Sequence, residues 1–415
     1  MARTLIICPT HDHADTLLAA IPAVLTQREK DWELVVIGDG APPRAAEIVE
    51  GFMRRDKRIR YVAHPKGAHF GEAYRDPVIR DSDSEFICHM GDDDIWSNRH
   101  LETMQRMLAD ADWAMASELT IRPNGRAVWR FGNQSGDMSA KLASASPATM
   151  IAGGLNNVAV RRNAYLSLPS GWTPAKEGHP SDKTMWLKYL RNPHIRRASS
   201  AFVTYLKLTG TGERRAMSPL ARLTELQPLL VKVNAPGYMD RVRASADIGF
   251  NCARALFAYE GATEAATFDG GMTAIGLQPS ASDAHASVAV QGAPMRLPVT
   301  TTQLEQLETC WALARCLKQD LPFSDRVRAL VLANDRIGAG VFTELARQDA
   351  DLAMKGVDRM QEELGLAKLA CRLRLRLLLS AGQLNEARSI LDAARSKWPM
   401  EKWVTKFTRE LADMG

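Results

Sequence analysis

The first hundred residues alternate short apolar runs with longer amphipathic stretches. Thr4-Leu5-Ile6-Ile7-Cys8 is apolar and partly β-branched, and Pro9 is expected to end it, as at the end of a buried parallel strand. Residues 14–27 carry Leu17, Leu18, Ile21 and Leu25 at near-helical spacing, with Pro22 expected to kink the helix. Residues 32–37 read as a second strand stopped by Gly38-Asp39-Gly40, 44–54 as a helix and 59–62 as a third strand. A helix interrupted at Pro77 is expected over 71–82. A fourth strand over 85–90 runs directly into Gly91-Asp92-Asp93-Asp94, followed by a helix over 99–109 and a strand over 113–116. This alternation predicts an α/β fold, a doubly wound and mainly parallel sheet with helices on both faces. Ligands bind such sheets beyond the carboxyl ends of the strands. Asp39 and the Asp92–Asp94 run both fall there.

Past residue 120 the pattern loosens. Residues 153–160 read as a loop entering a strand, 171–180 as a Gly- and Pro-containing loop, and 182–191 as a helix. Residues 219–260 are helical in tone. The stretch 261–300, rich in Ala, Gly, Ser, Thr and Pro, reads as a linker or an exposed excursion. Residues 301–415 read as all-α. The expected division is therefore 1–212, 213–300 and 301–415. Within the last part, 366–380 and 384–397 form a helical hairpin broken at Gly382. Its run 378–387 resembles the turn of a tetratricopeptide repeat, where glycine permits the tight turn and Ala387 permits close helix packing. Only one copy is visible, and a plain helical hairpin fits equally well.

Composition narrows the classes. The chain has 415 residues, 46% hydrophobic and 24% charged, enough for a sizeable core and too apolar for a solvated coil. A net charge of +5 with interspersed signs points away from nucleic-acid binding. No apolar run reaches the ~18 residues that a membrane span needs. The first apolar run is too short for a signal peptide. The six cysteines form no C-x-x-C pair and read as reduced thiols, which implies a cytoplasmic setting, with peripheral attachment at the inner face of a membrane compatible with it. The basic residues Lys368, Arg372, Arg374 and Arg376 read as a solvated helix face. Eight of the nine histidines precede residue 200, so polar chemistry is expected in the N-terminal half.

The sharpest chemical signal is Met90-Gly91-Asp92-Asp93-Asp94-Ile95-Trp96 at the end of an apolar strand. Adjacent carboxylates repel one another and are tolerated in solvent or around a cation. A strand-end loop can aim two of them at Mg²⁺ or Mn²⁺, which take hard oxygen ligands. The competing reading is a solvated acidic turn that caps the following helix.

Four stretches, in order, resemble the family 2 inverting glycosyltransferases of GT-A fold: residues 6–13, 33–41, 58–75 and 85–96. They correspond to the opening strand and turn, the strand ending in an acidic residue, the third strand with a Gly- and Arg-containing turn, and the strand leading to a D-x-D motif. The resemblance covers the N-terminal 210 residues. It implies that Asp39 holds the base of a nucleotide, favouring uracil, and that Pro9 and His11 line the same pocket. It puts Gly91 where the family has its first aspartate. Asp92 then lies near the ribose, Asp93 at the metal and Asp94 beside it as a supporting carboxylate. The implied cofactors are Mn²⁺ or Mg²⁺ and a nucleotide sugar, most simply a UDP-sugar.

An inverting transfer needs a base for the acceptor hydroxyl. In the family that residue opens a helix downstream, and Pro180-Ser181-Asp182 corresponds to it, with Ser181 where the family has Glu. Asp182 is the candidate base, His179 the next, and Trp172 a candidate wall of the acceptor pocket; N-capping and core packing are the plain alternatives for Asp182 and Trp172. The expected function is a metal-dependent glycosyltransferase of bacterial polysaccharide-biosynthesis type, acting on a glycan, lipid-linked or protein acceptor. A protein partner is expected for the C-terminal helices. The competing function is a catalytically weak GT-A-like scaffold that binds proteins through those helices. A nucleotidyltransferase is disfavoured, because residues 8–15 hold no Gly-rich phosphate loop.

Overall fold

The structure is a computed structural model that describes residues 2–136, 153–208, 214, 216–248, 251–281 and 288–414. The chain forms two compact units. One comprises Met1–Asn251 with Ile275–Gln303, the other Cys252–Ala274 with Leu304–Gly415. The first holds a sheet whose main path runs β10-β7-β6-β8-β4-β1-β2-β3. Its strands along the chain are β1 (Thr4–Thr10), β2 (Trp32–Asp39), β3 (Ile59–His64), β4 (Phe86–His89), β5 (Ile95–Trp96) and β6 (Trp113–Ile121). They continue with β7 (Ala127–Arg130), β8 (Val158–Arg161), β9 (Arg197–Leu208) and β10 (Asp247–Ile248). Strands β3, β2, β1 and β4 are parallel neighbours, as the alternating pattern predicts. β8 then enters antiparallel between β4 and β6, while β9 runs parallel to β6 and antiparallel to β5.

β1 passes through Pro9 instead of ending there. Met90 N–H donates to the Ile7 carbonyl, and β4 pairs with β1 no further than Ile7. Pro9, two residues on, faces the same side beyond that partner, so its missing N–H leaves no ladder bond unmade.

Helices α1 (Leu17–Leu25), α2 (Pro43–Met53), α3 (Arg75–Asp81), α4 (His100–Leu108), α5 (Arg162–Leu166) and α6 (Ser181–Leu190) connect the strands. Pro77 lies in the first turn of α3, where a missing N–H costs nothing, so the helix starts there and does not break. Leu5, Ile7, Val35, Ile37 and Ile87 pack with Ile79, Tyr165 and Trp186 on one sheet face. The alternate residues Ile6, Cys8, Leu34, Val36 and Cys88 are equally buried, so both faces are covered, as expected of central parallel strands.

The described residues of the stretch 261–300 include regular elements. They contribute helical turns at Glu260–Glu264 and Phe268–Ala274, then β11 (Leu277–Ser280), β12 (Val288–Val290) and β13 (Met295–Pro298). β12 pairs antiparallel with β9, β11 pairs parallel with β13, and Ala289, Met295 and Leu297 are buried. Composition misled because small residues serve short packed strands as well as loops. The unit boundaries accordingly differ from breaks at 212 and 300. Before that stretch come α7 (Pro219–Lys232) and α8 (Tyr238–Ser245), both in the sheet unit.

The second unit is helical. The expected hairpin is formed by Ala367–Ser380 and Leu384–Lys397, joined through Gly382 at φ +71°, with Ala387 fully buried. The basic residues of this region are tied down: Lys368 pairs with Glu401, Arg372 with Asp335 and Arg374 with Asp358. Among the described residues, no helix is long and apolar enough to cross a membrane.

Candidate active site

The carboxyl ends of β1, β2 and β4 bring Thr10, Asp39 and the Asp92–Asp94 run to one edge of the sheet. Asp39, the last residue of β2, is buried. Its Oδ1 accepts the Gly67 N–H at 2.6 Å and its Oδ2 accepts Lys66 Nζ at 2.7 Å. The loop after β3 closes on Asp39 because Gly71 adopts φ +62°; a Cβ there would lie 2.6 Å from Asp39 Cγ. His11 Nδ1–H donates to the Asp39 carbonyl oxygen at 2.7 Å, and Pro9 lies beside Ile37 of β2. Pro9, His11 and Asp39 therefore share one corner.

Asp92 is held to the same corner. Its Oδ2 accepts Thr10 Oγ1–H at 2.7 Å and its Oδ1 lies 3.5 Å from His13 Nδ1. This carboxylate is the main cause that raises the His13 pKa, against the opposing pull of burial. Asp94 is buried by the protein itself. The Leu208 N–H donates to its Oδ1 at 3.0 Å and Asn156 Nδ2–H donates to its Oδ2. Burial first, and the charge of Asp93 second, hold its pKa well above the usual carboxylate range. Asn156 is itself fixed, since its Oδ1 accepts from Gly91 N–H at 2.8 Å and Trp96 Nε1–H at 3.1 Å. The same clamp accounts for Gly91. A Cβ there would stand 3.1 Å from both Asn156 Nδ2 and Asp94 Oδ2, which leaves an aspartate side chain little room.

Asp93 has a partner that the sequence did not suggest. Arg222 of α7 forms an ion pair with Asp93 Oδ2 through Nη2, while its Nη1 donates to His13 Nε2. Arg222 is only 4% exposed. Nearby, Lys207 on β9 lies 3.7 Å from Glu118, whose carboxylate also accepts Tyr205 OH at 2.6 Å. Glu118 is the chief cause that raises the Lys207 pKa.

These contacts decide whether the residues fit the divalent cation that the resemblance implies. Both oxygens of Asp92 and both of Asp94 are engaged by protein groups, and Asp93 holds a guanidinium on one of its two. Among the described residues, no three His, Cys, Asp or Glu side chains converge as a metal cluster. A dication brought to the remaining Asp93 oxygen would face the Arg222 charge at close range, where repulsion is several kcal/mol at an effective dielectric of about 20. The arrangement does not fit a resident metal. In this arrangement Asp94 supports the loop and Asp93 anchors an arginine.

Asp182 lies in the first turn of α6 and is half-buried. Its charge raises the basicity of Arg75, as does that of Asp39, and it raises the basicity of Lys207, as does that of Asp94. Asp182 Oδ1 accepts the Lys183 N–H at 2.7 Å. Arg75 is buried with an unpartnered Nε, lies 4.4 Å over the Trp172 ring, and has its pKa pulled down to about 10, with burial the main cause. Trp172 packs in the core, donating Nε1–H to His89 Nε2 at 3.1 Å, so it forms the floor beneath Arg75 rather than an open pocket wall. Burial pushes the His89 pKa down to about 3, which keeps that ring neutral. His179 is exposed and bonds only to the Glu177 carbonyl oxygen.

Residues 5–140 match the sequence model of the family described as "Glycosyl transferase family 2". Over these residues the chain is similar to a family 2 glycosyltransferase domain. Within curated relatives, the chain is similar to an uncharacterized glycosyltransferase of Rickettsia bellii, 26% identical over 153 residues, covering 36% of this chain and 22% of the relative. It is also similar to the succinoglycan biosynthesis protein ExoW of Rhizobium meliloti, 28% identical over 120 residues, covering 28% and 38%. The matches thus span less than two fifths of these relatives. Among solved structures, S. aureus TarS 1-349 in complex with UDP-GlcNAc is 14% identical at a TM-score of 0.42, covering 84% of this chain and 92% of that one.

Asp39, Asp92 and Asp93 stand out in the sequence because they follow apolar runs. Sequence reasoning missed Arg222, 129 positions from Asp93 in a stretch without a motif. It also missed Lys207, Glu118 and Asn156. For Glu118 a signal existed, a lone charge inside the apolar run Trp113–Ile121.

Proposed function

We infer that this chain transfers a sugar from a nucleotide-sugar donor, UDP-linked, to a hydroxyl of a glycan, lipid-linked or protein acceptor, with inversion at the anomeric carbon. The observation that supports this reading is the placement of Asp39 and the Asp92–Asp94 run at neighbouring strand ends within the part of the chain that matches the family 2 model, with the buried Arg222 paired to Asp93. Asp39 is suited to a uracil imide N–H. Each of its oxygens has a second lone pair beyond the one given to Lys66 or Gly67. Asp92 is suited to the ribose hydroxyls.

In the reaction, the acceptor oxygen forms a bond to the anomeric carbon as the bond from that carbon to the β-phosphate oxygen breaks. The electron pair leaves with UDP, and the acceptor proton passes to Asp182. A general base contributes about 10²–10⁴ to such a step. Positive charge near the diphosphate stabilises the departing anion.

The test is UDP release from a panel of UDP-sugars offered to the full chain, with and without candidate glycan acceptors, and nuclear magnetic resonance of the product's anomeric configuration. The expected result is acceptor-dependent UDP release with inversion. Nucleotide binding without turnover on any donor would favour the scaffold reading. Retention would remove the single-displacement mechanism.

A further inference from the structure

The charge that faces Asp93 is a guanidinium, and its setting is unusual for an arginine with a purely structural task. Arg222 is 96% buried by its 4% exposure, yet it meets one carboxylate and one imidazole nitrogen. A guanidinium has five N–H groups. Two are used, and the other three find no protein acceptor among the described residues. Burying a cation with so few partners is expensive unless a further anion completes its shell.

The helix that carries Arg222 is built to hold it there. Ser218 caps α7, its Oγ accepting from Ala221 N–H, and Pro219 fixes the first turn. The helix packs against α1 and the 3-10 turn Ala14–Thr16, next to the His13 that receives Arg222 Nη1–H. Asp93, His13 and α7 thus hold the guanidinium from three directions. Of the other nearby cations, Lys66 is committed to Asp39 and Lys207 to Glu118, while Arg75 lies over the Trp172 ring.

We propose that Arg222 supplies the positive charge that binds the donor's diphosphate, in the place where a divalent cation would otherwise sit, so that this chain binds its nucleotide diphosphate without metal. The inference rests on the nucleotide-sugar reading above. Asp93 acts here as the anchor of the arginine. The planar fork of Arg222 suits two phosphate oxygens at once. When the bond from the anomeric carbon to the β-phosphate oxygen breaks, the negative charge that develops on that oxygen lies against the guanidinium, and no co-reactant is required.

The experiment measures UDP and UMP binding to the full chain by calorimetry, in EDTA and in Mn²⁺, for wild type, Arg222→Ala and Arg222→Lys. For wild type, the UDP Kd changes less than threefold between EDTA and Mn²⁺. Arg222→Ala weakens UDP by about 10- to 100-fold, the scale of a lost charged hydrogen bond, while UMP, which lacks the β-phosphate, changes far less. Arg222→Lys keeps the charge and loses the fork, and falls between. UDP binding abolished by EDTA and restored by Mn²⁺ overturns the proposal while leaving the nucleotide-sugar reading intact. Equal weakening of UDP and UMP in both variants, with lowered thermal stability, marks Arg222 as a structural partner of Asp93 only and also overturns it. Binding of neither nucleotide to wild type under either condition overturns both readings.

Discussion

Replacing Asp94 by asparagine separates a supporting carboxylate from a ligand. Asp94→Asn keeps shape and can still accept the Leu208 N–H that now bonds Oδ1 at 3.0 Å. The other side of the group fails. Its new NH₂ meets the Asn156 NH₂, and Asn156 cannot flip, because its Oδ1 already serves Gly91 N–H and Trp96 Nε1–H. A buried donor left facing a donor costs about 1–3 kcal/mol. Removing a charge that burial opposes returns part of that, so the net loss is about 1–2 kcal/mol. At roughly 2–4 °C per kcal/mol for a unit of this size, the first melting transition falls by about 2–8 °C. The pH dependence has a definite sign. The folded pKa of Asp94 is raised, so its contribution is fully present below the ordinary carboxylate range and is lost as pH rises through the raised value. The variant lacks this titration, and its deficit is largest in acid and shrinks towards neutral pH. Thermal melts followed by circular dichroism from pH 4 to pH 8, with UDP titrations in parallel, read both effects. A variant with wild-type stability that no longer binds UDP would refute the assignment and make Asp94 a ligand.

Two further substitutions probe backbone and packing. Gly71→Ala forces a side chain into φ +62° and against Asp39, at about 1–2 kcal/mol for the conformation alone; the loop should lift from Asp39 and UDP affinity should fall, and unchanged calorimetric affinity would show that this loop does not shape the nucleotide corner. In the helical unit, a Cβ at Gly356 would collide with Leu317 and come within 2.9 Å of Phe342 Cε1. Gly356→Ala should therefore cost about 1–3 kcal/mol by overpacking without altering UDP binding, as urea unfolding and calorimetry would register; an equally stable variant would mean that the helices there part more readily than their packing implies.

The parts of this protein that were legible in sequence are those where one local pattern decides the outcome. β1 to β4 declare themselves because strands buried on both faces must be continuously apolar, and their ends are marked by the change to Gly and Asp. Asp39 and Asp92 follow from those ends. What lay hidden depends on contacts between distant positions. Arg222 looks like any basic residue in a helix until α7 lays it on Asp93. The partners of the three aspartates, Thr10 on Asp92, Arg222 on Asp93 and Asn156 with Leu208 on Asp94, are contacts that no local pattern announces. Trp172, in a Gly- and Pro-containing loop, read as a candidate pocket wall, yet its indole is buried against His89. Strands β11 to β13 were concealed by small residues whose burial is set by β9 and by one another.

The most direct test of the account is the single-turnover rate of sugar transfer by Asp182→Asn, measured beside its affinity for the UDP-sugar that the panel identifies. Asparagine keeps the shape of the side chain, can still accept the Lys183 N–H through its Oδ1, and removes the basicity. The account predicts a donor Kd within threefold of wild type and a transfer rate lower by about 10²–10⁴. Transfer at the wild-type rate would contradict it and move the proton acceptor away from α6.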